Sequence, residues 1–186
     1  MRVIAGRFRG RPLHAPRGEM TRPTTDRVRE AVFAVLGDLA QARVLDLYAG
    51  SGAIGIEALS RGAAHAVFVE AAQPALACIR RNLQQLDVRQ EATVIGARVE
   101  RCRGRLRELA PFDLVYCDPP WAHLQRSLVG LRDLLDANVA RAEATVVVEH
   151  PSRETVPDLG PGLGQPFDRR VYGDTALSFF RVPSES

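Results

Sequence analysis

The sequence predicts an α/β domain, a mostly parallel sheet closed by an antiparallel hairpin. Three observations predict it. Short apolar runs alternate with stretches of helical periodicity along most of the 186 residues, as βαβ units require. One of those runs, Val44-Leu45-Asp46-Leu47, passes directly into the small-residue turn Tyr48-Ala49-Gly50-Ser51-Gly52 and then into helical spacing at Ile54, Ala58 and Leu59. Another, Phe112-Asp113-Leu114-Val115-Tyr116-Cys117, stops at Asp118-Pro119-Pro120-Trp121. Two successive prolines have no N–H and a fixed φ, so they end a strand in a rigid loop.

The elements follow in order. Residues 2 to 14 read as a short β-hairpin with Arg2, Arg7, Arg9 and Arg11 on a cationic face, and residues 15 to 25 as a linking loop. Thr25 or Asp26 caps a helix whose apolar face is Val28, Ala31, Val32, Val35 and Leu36. After the glycine turn and its helix, Ala66 to Val69 forms a strand ending at Glu70. A helix from Pro74 to Leu86 has its proline at a tolerated first-turn position. Then come a strand at Ala92 to Ile95, a helix at Arg98 to Leu109, the strand ending at Cys117 and an amphipathic helix from Gln125 to Leu135. Ala144 to Glu149 is continuously apolar and β-branched, as a buried parallel strand should be. Pro151 to Pro166 reads as a loop with a helical turn, and two last strands, Arg169 to Tyr172 and Ala176 to Val182, meet at Gly173-Asp174.

The glycine turn is a nucleotide-type pocket. Gly50 and Gly52 let the backbone approach a ligand, and the helix N-terminus behind them points N–H groups into the same space. Gly50-x-Gly52-x-x-Gly55 with Glu70 twenty residues downstream also fits the dinucleotide fingerprint, so a nicotinamide enzyme satisfies this motif alone. Two features favour S-adenosyl-L-methionine: Asp46 just before the turn, placed to meet an ammonium group, and the Asp118 loop, which has no role in hydride transfer. That loop offers a carboxylate, backbone carbonyls and a flat indole. The first two accept hydrogen bonds from a planar amino group, and the indole stacks on the ring that carries it.

Charge narrows the partner. All 25 basic residues are arginine, and the first thirty residues hold eight of them against Glu19, Asp26 and Glu30. A basic front end on a near-neutral body is the footprint of a phosphate-backbone partner. Arg22, Arg27 and Arg29 are open to two readings, RNA contact or local ion pair. Cys78, Cys102 and Cys117 have no metal-ligand spacing and read as apolar filler in a reducing compartment. No apolar run is long enough to span a membrane, and no signal-peptide pattern opens the chain.

Together these residues resemble the class I methyltransferases that modify exocyclic amino groups, and most closely the RsmD family of bacterial 16S ribosomal RNA guanine-N2 methyltransferases. The resemblance includes Arg2-Val3-Ile4-Ala5-Gly6, Gly10-Arg11-Pro12-Leu13, Arg22-Pro23-Thr24-Thr25-Asp26-Arg27-Val28-Arg29-Glu30, the glycine turn, Asp118-Pro119-Pro120-Trp121 and Val171-Tyr172-Gly173-Asp174-Thr175-Ala176-Leu177. It implies a Rossmann-like fold with seven strands, an N-terminal hairpin extension and a C-terminal antiparallel hairpin. It also divides the chain into an RNA-contacting arm (1–24) and an S-adenosylmethionine-dependent catalytic domain (25–186).

The cofactor is expected against Asp46, Tyr48, Ala49, Gly50, Ser51, Gly52, Glu70, Ala71, Ala97, Val99 and Asp118. Catalysis is expected from Asp118, Pro119, Pro120 and Trp121, and RNA contact from Arg2, Arg7, Arg9, Arg11 and Arg22. The resemblance further implies a cytoplasmic monomer that needs no metal and acts on ribosomal RNA, as the small subunit or its assembly intermediate. One departure stands out: where many methyltransferases carry an acid after the third strand to read adenine, this chain has Ala97 and Arg98. The loop itself also suits an adenine-N6 methyltransferase, and a non-catalytic RNA-binding module is the remaining alternative. His150, at a later strand end, reads as a loop-start residue before it reads as a base.

Overall fold

A computed structural model describes residues 1–16, 26–155, 157–160 and 162–184. Seven strands form one sheet: β1 (Arg43–Leu47), β2 (His65–Glu70), β3 (Ala92–Gly96), β4 (Phe112–Cys117), β5 (Ala140–Pro151), β6 (Asp168–Tyr172) and β7 (Thr175–Arg181). Their order is β3-β2-β1-β4-β5-β7-β6, with β1 to β5 parallel and β7 antiparallel to both its neighbours. The chain winds outward from β1 to β3, then returns to place β4 on the other side of β1. At such a reversal the loops leaving the two strands diverge and open a crevice at their carboxyl ends.

Among the described residues five α-helices cover the sheet: α1 (Asp26–Leu36), α2 (Ala53–Ser60), α3 (Gln73–Gln85), α4 (Arg103–Leu109) and α5 (Leu124–Leu135). Registered residues of parallel neighbours share a face. Asp46, Phe68, Tyr116 and Val147 stand in one row, and Leu47, Val69, Cys117 and Val148 in the next. The apolar members of the first row pack with α1, α2 and α3, and the second row packs with α4 and α5. Cys117 therefore lies in the second core, on the face away from Asp46; burial pushes its thiol well above the usual range, and it is inert filler.

The whole of α2 is buried, because the arm covers the side the sheet does not. Gly55 sets how closely this helix lies on the sheet. A Cβ there would come within 2.3 Å of the Phe68 ring.

Several boundaries differ from the sequence reading. The N-terminal segment closes on itself through one bridge, Arg2 to Pro12, instead of two paired strands. Val3, Gly10 and Leu13 N–H still bond across the segment, while four donors turn to α2: Ile4 and Ala5 donate to Glu57, Phe8 to Ser60 Oγ and Arg7 to the Ser60 carbonyl. Val3 and Leu13 enter the same core as α1 and α2. The helix expected at Arg98 to Leu109 is split into a 3₁₀ turn, Val99–Arg101, and α4, because Val99 and Cys102 both turn inward. β5 begins at Ala140, four residues early; a register shift between Phe112 and Leu114 admits the polar Arg141 and Glu143 at the sheet's rim.

Arg29 is completely buried, donating to the Arg2 carbonyl and to Asp26, each at 2.7 Å. That settles its role as an ion-pair partner. Arg27 lies over the Tyr172 ring. Arg22 and Thr25 lie outside the described residues. No described helix is long and apolar enough to cross a membrane.

Candidate active site

The crevice between the ends of β1 and β4 holds both motifs. β1 ends at Leu47, and Tyr48 turns the chain with φ 59°, a left-handed conformation that few non-glycine residues adopt. Gly52, at φ 78°, then aims α2 so that Gly55 N–H donates to the Asp46 carboxylate at 3.0 Å. Asp46 is buried beneath the turn. Burial raises its pKa to about 8, the nearby Glu70 charge adds to this, and the Gly55 bond opposes it.

Glu70 ties the turn to β2. Its carboxylate accepts from Gly50 N–H at 2.8 Å, Ala71 N–H at 2.7 Å and Ala72 N–H at 2.8 Å. A carboxylate has about four lone-pair positions, so roughly one remains for a hydroxyl of a ligand.

A cleft of about 300 Å³ opens here, lined by Tyr48, Glu70, Ala71, Ala97, Val99, Glu100, Pro120, His123, Arg126 and Ser127 among others. Tyr48 from the glycine turn and Pro120 from the Asp118 loop therefore face one cavity. The Tyr48 hydroxyl is buried beside Ser127 with no well-formed hydrogen bond among the described residues; burial lifts its pKa to about 12, and Ser127 opposes the rise. A polar atom left unmatched in a cleft is what a ligand with donors and acceptors would satisfy. With the free position on Glu70, it fits a nucleoside-bearing group such as S-adenosylmethionine.

Sequence reasoning missed Glu100, Arg126 and Ser127. The first sits on the 3₁₀ turn after β3, three residues beyond Ala97, and pairs with Arg126 at 3.8 Å. An acid is thus present on the wall where the sequence offered only Ala97 and Arg98. Arg126 and Ser127 come from α5, whose polar positions carry no local signal of a cavity.

Asp118 follows β4, with its N–H toward the Leu47 carbonyl at 3.4 Å. It is half-buried. Desolvation of its carboxyl, then the charges of Glu149 and Asp46, hold its pKa well above the usual carboxylate range. Behind it the Tyr116 hydroxyl donates to Glu149 at 2.6 Å. Pro119 is buried and Pro120 exposed. Trp121 is half-buried and opens the 3₁₀ turn Trp121–His123 that leads into α5. His150 is buried inside β5 between Ser178 Oγ at 2.9 Å and the Pro151 carbonyl at 3.0 Å, a structural place.

The arm's arginines do not line this cleft. Arg2, Arg7, Arg9 and Arg11 are all exposed. Arg7 pairs with Glu91, while Arg11 reaches the Gln85 carbonyl at 3.5 Å.

Known proteins resemble this chain over nearly its whole length. A family model described as Conserved hypothetical protein 95 matches residues 1–181. Ribosomal RNA small subunit methyltransferase D of Escherichia coli K12 is 35% identical over 183 residues, 97% of this chain and 89% of that protein. The chain belongs to the RsmD family. Another relative, YlbH of Bacillus subtilis 168, is 34% identical over 184 residues, 97% of this chain and 98% of that protein. The solved structure of Escherichia coli yhhF matches with a TM-score of 0.84 at 32% identity, covering 100% of this chain and 99% of that one. RsmD membership thus accounts for both motifs and for the seven-stranded sheet with its antiparallel end.

Asp46 gives the site a pH signature. Its pKa is higher folded than unfolded, so the folded state holds the extra proton between about pH 4 and 8. This group's stabilising contribution is greatest below the unfolded value and falls as pH rises toward the folded one. Asp46→Asn, which stays neutral, is expected to flatten the decline in stability across that window. Urea melts at intervals from pH 4 to 8 would show it; parallel curves for the two proteins would refute it.

Proposed function

We propose that this protein methylates the exocyclic N2 of a guanine in small-subunit ribosomal RNA, using S-adenosyl-L-methionine. The observation that carries the proposal is the shared cleft: the glycine turn and the Asp118 loop open onto one cavity through Tyr48 and Pro120. The name of the Escherichia coli relative supplies the substrate class.

S-adenosylmethionine brings the methyl group as an electrophilic sulfonium. Asp46 receives its ammonium group, Glu70 a ribose hydroxyl, and the segments Tyr48 to Gly52, Ala71 and Ala97 to Val99 enclose the rest. Guanine N2 is a weak nucleophile because its lone pair is delocalised into the purine. Asp118 accepts one N2–H and the Pro119 carbonyl the other. Both contacts favour a pyramidal nitrogen whose lone pair is localised and aimed. Orientation and fixed dipoles then do the work. Trp121 stacks on the base once it has left its helix or loop. The methylated nitrogen is a strong acid and loses its proton without a dedicated base.

Arg2, Arg7, Arg9 and Arg11 hold the phosphate backbone, and Arg22 is assigned the same role. Residues 1–24 then serve as the RNA arm and 25–186 as the catalytic unit, working as a monomer in the cytoplasm on the subunit or its assembly intermediate.

Tritiated methyl donor, incubated with naked RNA, an assembly intermediate or the complete small subunit, should leave label in N2-methylguanosine after digestion to nucleosides. Label in N6-methyladenosine, or binding of NAD in place of the methyl donor, would overturn the assignment. Neutralising Arg7, Arg9 and Arg11 together should reduce the slope of log affinity against log salt by about 1.5 to 2, near 0.7 per lost single-strand phosphate contact. An unchanged slope would confine these arginines to the protein surface.

A further inference from the structure

The arm and the cofactor turn meet at the Asn82 side chain, beside a long direct contact of Ser51 Oγ with Met1 Sδ at 4.0 Å. Asn82, on α3, is completely buried. Its Oδ1 accepts from His14 N–H at 2.8 Å, and its Nδ2 donates to the His14 carbonyl at 3.0 Å and to the Ser51 carbonyl at 3.1 Å. Both amide hydrogens are used, and the arm's backbone is matched donor to acceptor, so the carboxamide cannot rotate without breaking all three bonds. Ser51 lies between Gly50 and Gly52, where the turn becomes α2. Gln85, one turn further along α3, binds His14 Nε2 at 3.0 Å and the Pro12 carbonyl at 3.0 Å, but does not reach the turn.

From this arrangement we infer that Asn82 is a positioning residue that couples RNA engagement by the arm to cofactor binding by the glycine turn. The inference rests on the proposed function, in which the arm takes RNA and the turn takes the cofactor. Its logic is geometric. A force on the arm at His14 reaches the Ser51 carbonyl through one rigid group, and ordering of the turn returns to the arm by the same path. Linkage requires the effect to be reciprocal: each ligand raises the affinity of the other by one common factor.

The test uses the full chain, S-adenosylhomocysteine and a small-subunit RNA fragment. Each ligand is titrated with and without a saturating amount of the other. Wild type should show a common factor of about fivefold or more. Asn82→Ala should bring that factor to near one, while Gln85→Ala, which loosens the arm without touching the turn, should retain more than half of it. Hydrogen exchange on the wild type gives a second readout should Asn82→Ala fail to fold: RNA should slow exchange at residues 50–52, and S-adenosylhomocysteine at residues 12–15.

A factor of one in wild type, an unchanged factor in Asn82→Ala, or exchange confined to each ligand's own segment would overturn the coupling. A purely structural Asn82 would lower the melting temperature and leave the factor alone. Failure of either ligand to bind wild type at all is a different result, and it would sink the proposed function instead.

Discussion

Asp118→Ala should slow methyl transfer by about 10²- to 10³-fold, the scale of removing one preorganised dipole from a reacting centre, while S-adenosylhomocysteine binds within about threefold of wild type. The split follows from where the residue sits. Asp118 stands at the end of β4, and its nearest charged neighbours are Glu149 and Asp46. Cofactor binding by contrast rests mainly on Asp46, Glu70 and the turn, which the substitution leaves in place. Asp118→Asn is the finer probe. It keeps one carbonyl acceptor but replaces the other oxygen with an amino donor that opposes the N2–H, so its rate should fall between those of wild type and Asp118→Ala.

The raised pKa adds a sign. A protonated Asp118 loses acceptor capacity and gains a donor, so the wild-type rate should climb with pH as this carboxyl ionises. The Asn variant should lack that limb. Near-normal turnover in Asp118→Ala, or loss of cofactor binding in step with turnover, would remove the residue from the assigned role.

What was legible in the chain had local causes. A strand running into Gly50-Ser51-Gly52, and another stopping at Pro119-Pro120, fix their own backbone geometry, so both loops could be placed from sequence alone. That they share one cleft follows only from the strand order, because β4 must return beside β1. The opposite wall was not legible. Glu100 and Ser127 are separated in sequence from either motif, and nothing near them announces a cavity. The burial of charge was not legible either: Arg29 and Glu57 lie on helices where such residues normally face water, yet both are fully buried. The cue was indirect. Ala53 to Ser60 contains one charged residue, so nothing was available to solvate its outer side, and a covering segment had to exist. The arm is that segment, and covering α2 takes up the backbone donors of Ile4, Ala5, Arg7 and Phe8.

Glu57→Ala should be the most destabilising single change away from the cleft, at about 3 to 5 kcal/mol, because it leaves a buried guanidinium short of counter-charge. Glu57 does three things at once. It accepts from Ile4 N–H at 2.8 Å and Ala5 N–H at 3.0 Å, pairs with Arg61 at 2.9 Å, and lies 4.0 Å from Arg29 Nη1. Arg29 Nε and Nη1 already lack hydrogen bonds among the described residues, and Asp26, its other ionic partner, is half exposed. Deleting the carboxylate thus leaves the buried cation with Asp26 as its ionic partner and strands two arm amides. For a chain of this size each kcal/mol lowers the melting temperature by about 2–4 °C, so a drop of about 6 to 20 °C is expected. Glu57→Gln, which retains an acceptor oxygen but no charge, should lose less.

A second substitution separates charge from packing. Arg29→Met in the Glu57→Ala background removes the buried cation and should recover at least about 1 kcal/mol, since an apolar replacement for a buried ion pair is often neutral or favourable. Additive losses across the four proteins of that cycle would mean that the two groups act independently. The arm would then be held by its backbone bonds and the burial of Val3 and Leu13, with no contribution from the buried charge pair.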